Sequence, residues 1–205
     1  MGFFSNLIGQ ADDGILQNGL LGRGEVTNVA LSGMTLTMGN SLEERKCTIS
    51  LTVFLDDLPS YQATTVQRVP EIYIPQISGG AVLAVRVDPK DHSKVFLDFA
   101  SEVPTIRAPK GQGRDSAAWV LENGKPIKVV LVQSQKAKMT NAAGVDIYAL
   151  TLTPYEGVDK PYQLVVGNAV PAEALPLLFP GSKLHAKLGD QPDAVVVDWA
   201  AGAAT

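Results

Sequence analysis

A chain of 205 residues with 45% apolar and 19% charged side chains is globular in composition, long enough for one large domain or two small ones. Its net charge of −4 leaves no overall field to attract phosphates or anionic lipid. A single cysteine, Cys47, excludes an intramolecular disulfide and a cysteine-built metal cluster, and no run of about 20 apolar residues is there to span a membrane.

Residues 1–21 read as an amphipathic helix. Phe3-Phe4, Leu7-Ile8, Ala11, Ile15 and Leu20-Leu21 recur mostly at three- and four-residue steps. Gly9 and Gly14 each weaken it by about 1 kcal/mol relative to Ala, so it needs something to pack against. Asn6 breaks the myristoylation pattern, and the first basic residue, Arg23, comes too late for a secretory signal, so the expected compartment is the cytoplasm.

From Gly24 the period is two. Glu25–Leu31 predicts a first strand, continued by Met34–Leu36 after a bulge at Gly33, and Gly39-Asn40-Ser41 predicts a turn. Lys46–Phe54 is the clearest strand, with Cys47, Ile49, Leu51 and Val53 on one face; Cys47 there is a small buried hydrophobe. Asp56-Asp57-Leu58-Pro59 turns the chain into Tyr61–Arg68, which Val69-Pro70 ends because Pro cannot donate to a ladder. Pro75 leaves Glu71–Ile77 as one turn or an irregular crossing. Ala81–Val87 is the fourth strand, Asp88-Pro89-Lys90-Asp91 a tight turn, and Lys94–Phe99 the fifth strand.

Residues 101–123 read as a linker. Within it Asp115–Glu122 fits a short helix, capped by Asp115, stopped at Asn123-Gly124, with Ala117, Val120 and Leu121 on its apolar face. A short strand with Trp119 and Leu121 on one face fits nearly as well. Strands then follow at Ile127–Val132, Val145–Thr153, Tyr162–Val166, Lys183–Leu188 and Ala194–Trp199, with a crossing opened by Val170-Pro171, and Ala200–Thr205 reads as a frayed tail.

The order is the same twice. Tyr61-Gln62, Val69-Pro70, Pro75, Gly80 and Leu83 recur 101 residues later as Tyr162-Gln163, Val170-Pro171, Pro176, Gly181 and Leu184. Aligning 24–87 on 125–188 without gaps gives twelve identities where about four are expected by chance, which points to a tandem duplication. The predicted fold is mainly β: two tandem five-stranded OB-like small barrels, residues 22–100 and 124–200, with the N-terminal amphipathic helix ahead of them and 201–205 as a tail. An SH3-like or split-barrel closure is the competing topology.

The run Leu83-Ala84-Val85-Arg86-Val87-Asp88-Pro89-Lys90-Asp91, then Lys94-Val95-Phe96-Leu97-Asp98, with Val69-Pro70 and Gly80 before it, resembles a short β-barrel repeat of uncharacterised actinobacterial proteins. The resemblance is good in the first copy and poor in the second, where Gly189-Asp190 replaces Asp88-Pro89. It implies a fold and a bacterial source, and carries no activity.

Chemistry is sparse. His92 falls in a turn and His185 on a strand, with no nucleophile in recognisable spacing to either. Two histidines and one cysteine make no zinc pattern, Asp56-Asp57 has no third ligand in register for calcium, and Gly111–Ser116 lacks the frame of a phosphate loop. No catalytic, cofactor-binding or metal residue is predicted. Aromatic residues are 6%, and Arg107, Lys110 and Arg114 form the one basic cluster, too little for a stacking platform in a basic groove, so nucleic acid is not an expected partner.

The expectation is a non-enzymatic binding or scaffold protein that works through protein–protein contact or self-association. Its candidate partner-binding residues are Phe3, Phe4, Leu7, Ile8, Ile15, Leu20 and Trp119. Membrane-surface contact is disfavoured because Asp12 and Asp13 precede any basic residue. The alternative is an OB-type binder of oligonucleotide or oligosaccharide; a third class is an enzyme whose site is shared between chains.

Overall fold

The computed structural model describes residues 13–36, 43–111, 114 and 116–204. Residues 1–12 of the expected helix, the Gly39-Asn40-Ser41 turn and Asp115 lie outside the described residues. The protein is mainly β and divides into two compact units, Met1–Ile106 and Arg107–Thr205.

In the first unit a short helix α1 (Asp13–Asn18) precedes β1 (Leu20–Leu36), β2 (Glu44–Phe54), β3 (Tyr61–Pro70), a 3-10 helix (Glu71–Ile77), β4 (Val82–Val87) and β5 (Val95–Leu97). The sheet is antiparallel in the order β3-β2-β1-β4-β5. Strand β6 (Ile106–Arg107) lies where the chain changes unit. After it come α2 (Ala117–Asn123), β7 (Lys125–Thr140), β8 (Asp146–Glu156), β9 (Leu164–Ala169), a 3-10 helix (Ala172–Leu177), β10 (Lys183–Leu188) and β11 (Val195–Val197). Their order is β11-β10-β7-β8-β9, with β6 paired to β7 off that path. Read from the other end, it is the strand order of the first unit.

Alternation builds each core. Cys47, Ile49, Leu51 and Val53 on β2 are fully buried, as the period-two pattern requires, and pack with Val26, Val85, Val87, Val95 and Leu97. In the second unit Leu131, Leu150, Leu152 and Ala186 are the buried counterparts of Val26, Ile49, Leu51 and Val85, and Val129 and Leu184 join the same core. The sheets enter β4 and β10 through matching turns: Gly80 and Gly181 have φ of 84° and 90°, a region open to glycine, and their N–H groups donate to Val26 O and Leu131 O, each at 2.7 Å.

Register corrects the alignment of the first strands. Val26 pairs with Leu51 and Leu131 with Leu152, so β1 matches β7 at an offset of 105, while β2 to β4 match β8 to β10 at 101. The hairpin between the first two strands is four residues shorter in the second unit. On the corrected offset both long strands shift register at the same two places, after Val26 and Leu131 and again after Leu31 and Lys136. The first shift was not expected; the second spans Gly33, where a bulge was.

The same offset brings the two helices into correspondence. Ile15-Leu16-Gln17-Asn18-Gly19 matches Val120-Leu121-Glu122-Asn123-Gly124, Ile15 and Val120 are buried, and each glycine N–H donates to the carbonyl four residues back, at 2.7 and 2.8 Å. The N-terminal helix is therefore smaller than expected: it stops at Asn18, and Leu20-Leu21 belong to β1, paired with Val87 and Arg86. The segment read as a linker helix opens the second unit. It forms as a helix, not a strand, and its N-cap is Ser116, whose Oγ accepts the Trp119 N–H at 3.2 Å. Only Val120 of its expected apolar face is buried; Leu121 and Ala117 are exposed.

The tail is tied down. Ala203 bridges to Leu184, the Ala204 N–H donates to Lys183 O at 2.9 Å, and Ala204 is buried.

Candidate functional site

A cluster of linked side-chain hydrogen bonds lies at the joint between α1 and the β4–β5 pair. Arg86, on β4, donates from Nε to Asp98 Oδ2 (2.9 Å), from Nη1 to Gly19 O (3.2 Å) and from Nη2 to Ser101 Oγ (3.2 Å). Asp98 Oδ2 also accepts from the Ser101 hydroxyl (2.7 Å), and its Oδ1 from the N–H groups of Ala100 and Ser101. Burial pushes the Asp98 carboxyl up, but the Ser101 hydroxyl, Arg86 and the two backbone donors outweigh it and hold the group below its usual value. Each guanidinium nitrogen and both carboxylate oxygens are engaged, so the cluster locks the helix onto its sheet and leaves no group poised to react. The second unit replaces Arg86 with Lys187 and Ser101 with Ala201; Asp198 there accepts the Ala201 N–H at 3.3 Å.

A second constellation closes the far edge. Tyr61, at the start of β3, donates its hydroxyl to His92 O at 3.0 Å and its ring stacks on the His92 imidazole, centroids 6.2 Å apart. Tyr162 donates to Pro192 O at 2.7 Å. The recurrence seen in the sequence is a tether to the turn before the last strand, from the start of β3 at Tyr61 but from two residues ahead of β9 at Tyr162. That strand runs Leu164–Ala169 and not from Tyr162; burial pushes both phenols up.

Of the candidate partner-binding residues, Phe3, Phe4, Leu7 and Ile8 lie outside the described residues. Ile15 is 6% exposed and spent inside its own unit, whereas Leu20 is 42% exposed on β1. Trp119 is half-buried on α2, with the Arg114 guanidinium 5.7 Å from its ring centroid. Arg114 also pairs with Asp190 at 3.6 Å, between two exposed side chains. Cys47 is buried, and desolvation pushes its thiol up against the smaller pull of Arg45. Among the described residues no group of three or more His, Cys, Asp or Glu side chains is placed to hold a metal ion. No helix among them is long and apolar enough to cross a membrane.

Sequence patterning missed several exposed apolar side chains. Leu175 (42%) and Phe179 (65%) stand four residues apart on the crossing of the second unit, and Val165 (67%) stands on β9. Leu175 and Phe179 lie in the crossing that Val170-Pro171 opens, where no exposed apolar pair was expected. The signal was in the comparison of the copies: Phe179 stands where the first unit has Ser78. The units also differ in charge, with seven basic and twelve acidic residues in 1–106 against ten and nine in 107–205. No protein-family model, curated protein or solved structure matches the chain.

Proposed function

We propose that the protein is a non-enzymatic binding or scaffold protein that acts through protein–protein contact, either with copies of itself or as a component of an assembly. The observation that carries this reading is the exposure of Leu175 and Phe179, large apolar side chains on a fixed crossing segment, where a monomer gains nothing from them. The engaged state of the Arg86–Asp98–Ser101 cluster supports it, since those polar groups are spent on the fold.

For the fold itself we propose two tandem OB-like barrels. The strand order, the 3-10 crossing between third and fourth strands and the link from third to fifth strand all support that topology. The resemblance to the actinobacterial repeat is part of the same proposal. That topology also favours a second reading, an oligonucleotide or oligosaccharide binder, because OB barrels present a sheet face to such ligands.

Light scattering on the intact chain and on a Leu175→Ser/Phe179→Ser variant tests the first reading. A mass above the 21.7 kDa of one chain that falls to it in the variant supports it. A single-chain mass at every concentration, together with anisotropy-detected binding of a labelled oligomer at about 0.15 M salt, would replace it with the second.

A further inference from the structure

Strand β1 continues to Leu36, but its β4 side is tied only as far as Val26, which bonds Gly80 and Ala81. Among the described residues only β2 pairs with the rest. An edge of that length presents a row of N–H and C=O groups to any extended chain, and folded proteins cover, charge or bend such edges.

The two units treat this edge in opposite ways. On β7 it is both covered and charged: β6 pairs with it, the Ala108 N–H donates to Thr140 O at 2.7 Å, and Lys136 and Lys138 stand along it. At the offset of 105 those lysines match Leu31 and Gly33, and Thr27–Leu36 holds no charged residue and no proline. Leu31 is 48% exposed. The covered edge therefore carries the lysines that usually guard an open one, and the edge without a cover among the described residues carries none.

We propose that the β1 edge from Asn28 to Leu36 pairs antiparallel with the same edge of a second copy. Two identical strands laid antiparallel are self-complementary, and here no like charges face each other, whereas two β7 edges would oppose lysines. Main-chain bonds along one short edge are marginal by themselves. The inference therefore rests on the proposed self-association: the Leu175 and Phe179 contact holds copies together and raises the effective concentration at which their edges meet.

Hydrogen exchange read by mass spectrometry over a dilution series, with light scattering beside it, tests this on the intact chain, on Leu31→Lys and on Leu175→Ser/Phe179→Ser. The second unit folds with a lysine at the position of Leu31; if Leu31→Lys fails to fold, the dilution series on the intact chain carries the test. In the intact chain, amides of Asn28–Leu36 not bonded to β2 should exchange about tenfold slower once free protein is about ten times the dissociation constant, with β4 unchanged. In Leu31→Lys they should stay fast at that concentration, and in the double variant the slowing should disappear together with the extra mass. Exchange at Asn28–Leu36 that does not vary with concentration would overturn the inference, whether fast, with the edge open, or slow, with the edge covered inside its own chain. If the mass of the double variant still falls in that case, the reading of a self-associating protein stands without the edge contact. A single-chain mass throughout would remove both.

Discussion

The side-chain carbonyl of Asn168 accepts the backbone N–H of Val197 at 2.8 Å, joining the third strand of the second sheet to its fifth. Gln67 does the same for the Leu97 N–H at 2.9 Å, 101 residues earlier. Both amides are almost fully buried, and Asn168 Nδ2 also reaches Val195 O at 3.4 Å. A side chain thus stands where a ladder would otherwise close the sheet. Replacing Asn168 by Leu, of similar volume, leaves a buried N–H without a partner and should cost about 1–3 kcal/mol. Urea denaturation should show a lower midpoint at unchanged slope, and Gln67→Leu should follow it.

The glycine between helix and first strand is the second shared joint. A Cβ on Gly124 would stand 2.5 Å from Val120 O and 2.9 Å from Leu188 O. One on Gly19 would overlap Ile15 O and lie 3.0 Å from Val87 O. The obstructing atoms are backbone, so they cannot swing aside. Gly19→Ala and Gly124→Ala should each lower stability by roughly 1–3 kcal/mol, read as a drop in melting temperature.

Much of the fold was legible because a buried strand face demands alternation. The Cys47–Val53 face and Lys183–Leu188 follow from that demand, whereas β3 runs on through Val69-Pro70, still paired with Arg45 and Glu44, before the chain turns. The first strands were misaligned because a hairpin tip tolerates length changes, and four residues there move every upstream residue off the 101 offset. That shift hid the Asn-Gly joint and let one repeat element pass as a docking helix and a linker. Gln67 and Asn168 were in register but differ in identity, so counting identities passed over the groups that link the edges. Ala203 and Ala204 are held by backbone bonds that composition does not signal.

Lys138 has φ of 43° where the first unit has Gly33, in the second register shift of the long strand. A left-handed conformation costs a residue with a Cβ about 1–2 kcal/mol. Lys138→Gly should raise the melting temperature, against the usual penalty for glycine in a strand. An unchanged or lower value would mean that the lysine side chain makes contacts worth the strain.

Asp98 gives the first unit an acid limit. Its folded pKa is held below the usual carboxylate value, so the stability it contributes is complete above about pH 5 and is lost as pH falls through the folded value. Wild type should melt higher than Asp98→Asn at neutral pH, and the gap should narrow as pH falls toward 3. A constant gap would assign the effect to hydrogen bonding alone.

Each repeat begins with its helix, not with its first strand. Expression of 107–205 and of 124–205, compared by thermal melting and amide NMR, tests this most directly. The longer piece should give dispersed signals and a cooperative melt, and the shorter one, without Val120, should lose most of both. Equal melting of the two pieces would contradict the account.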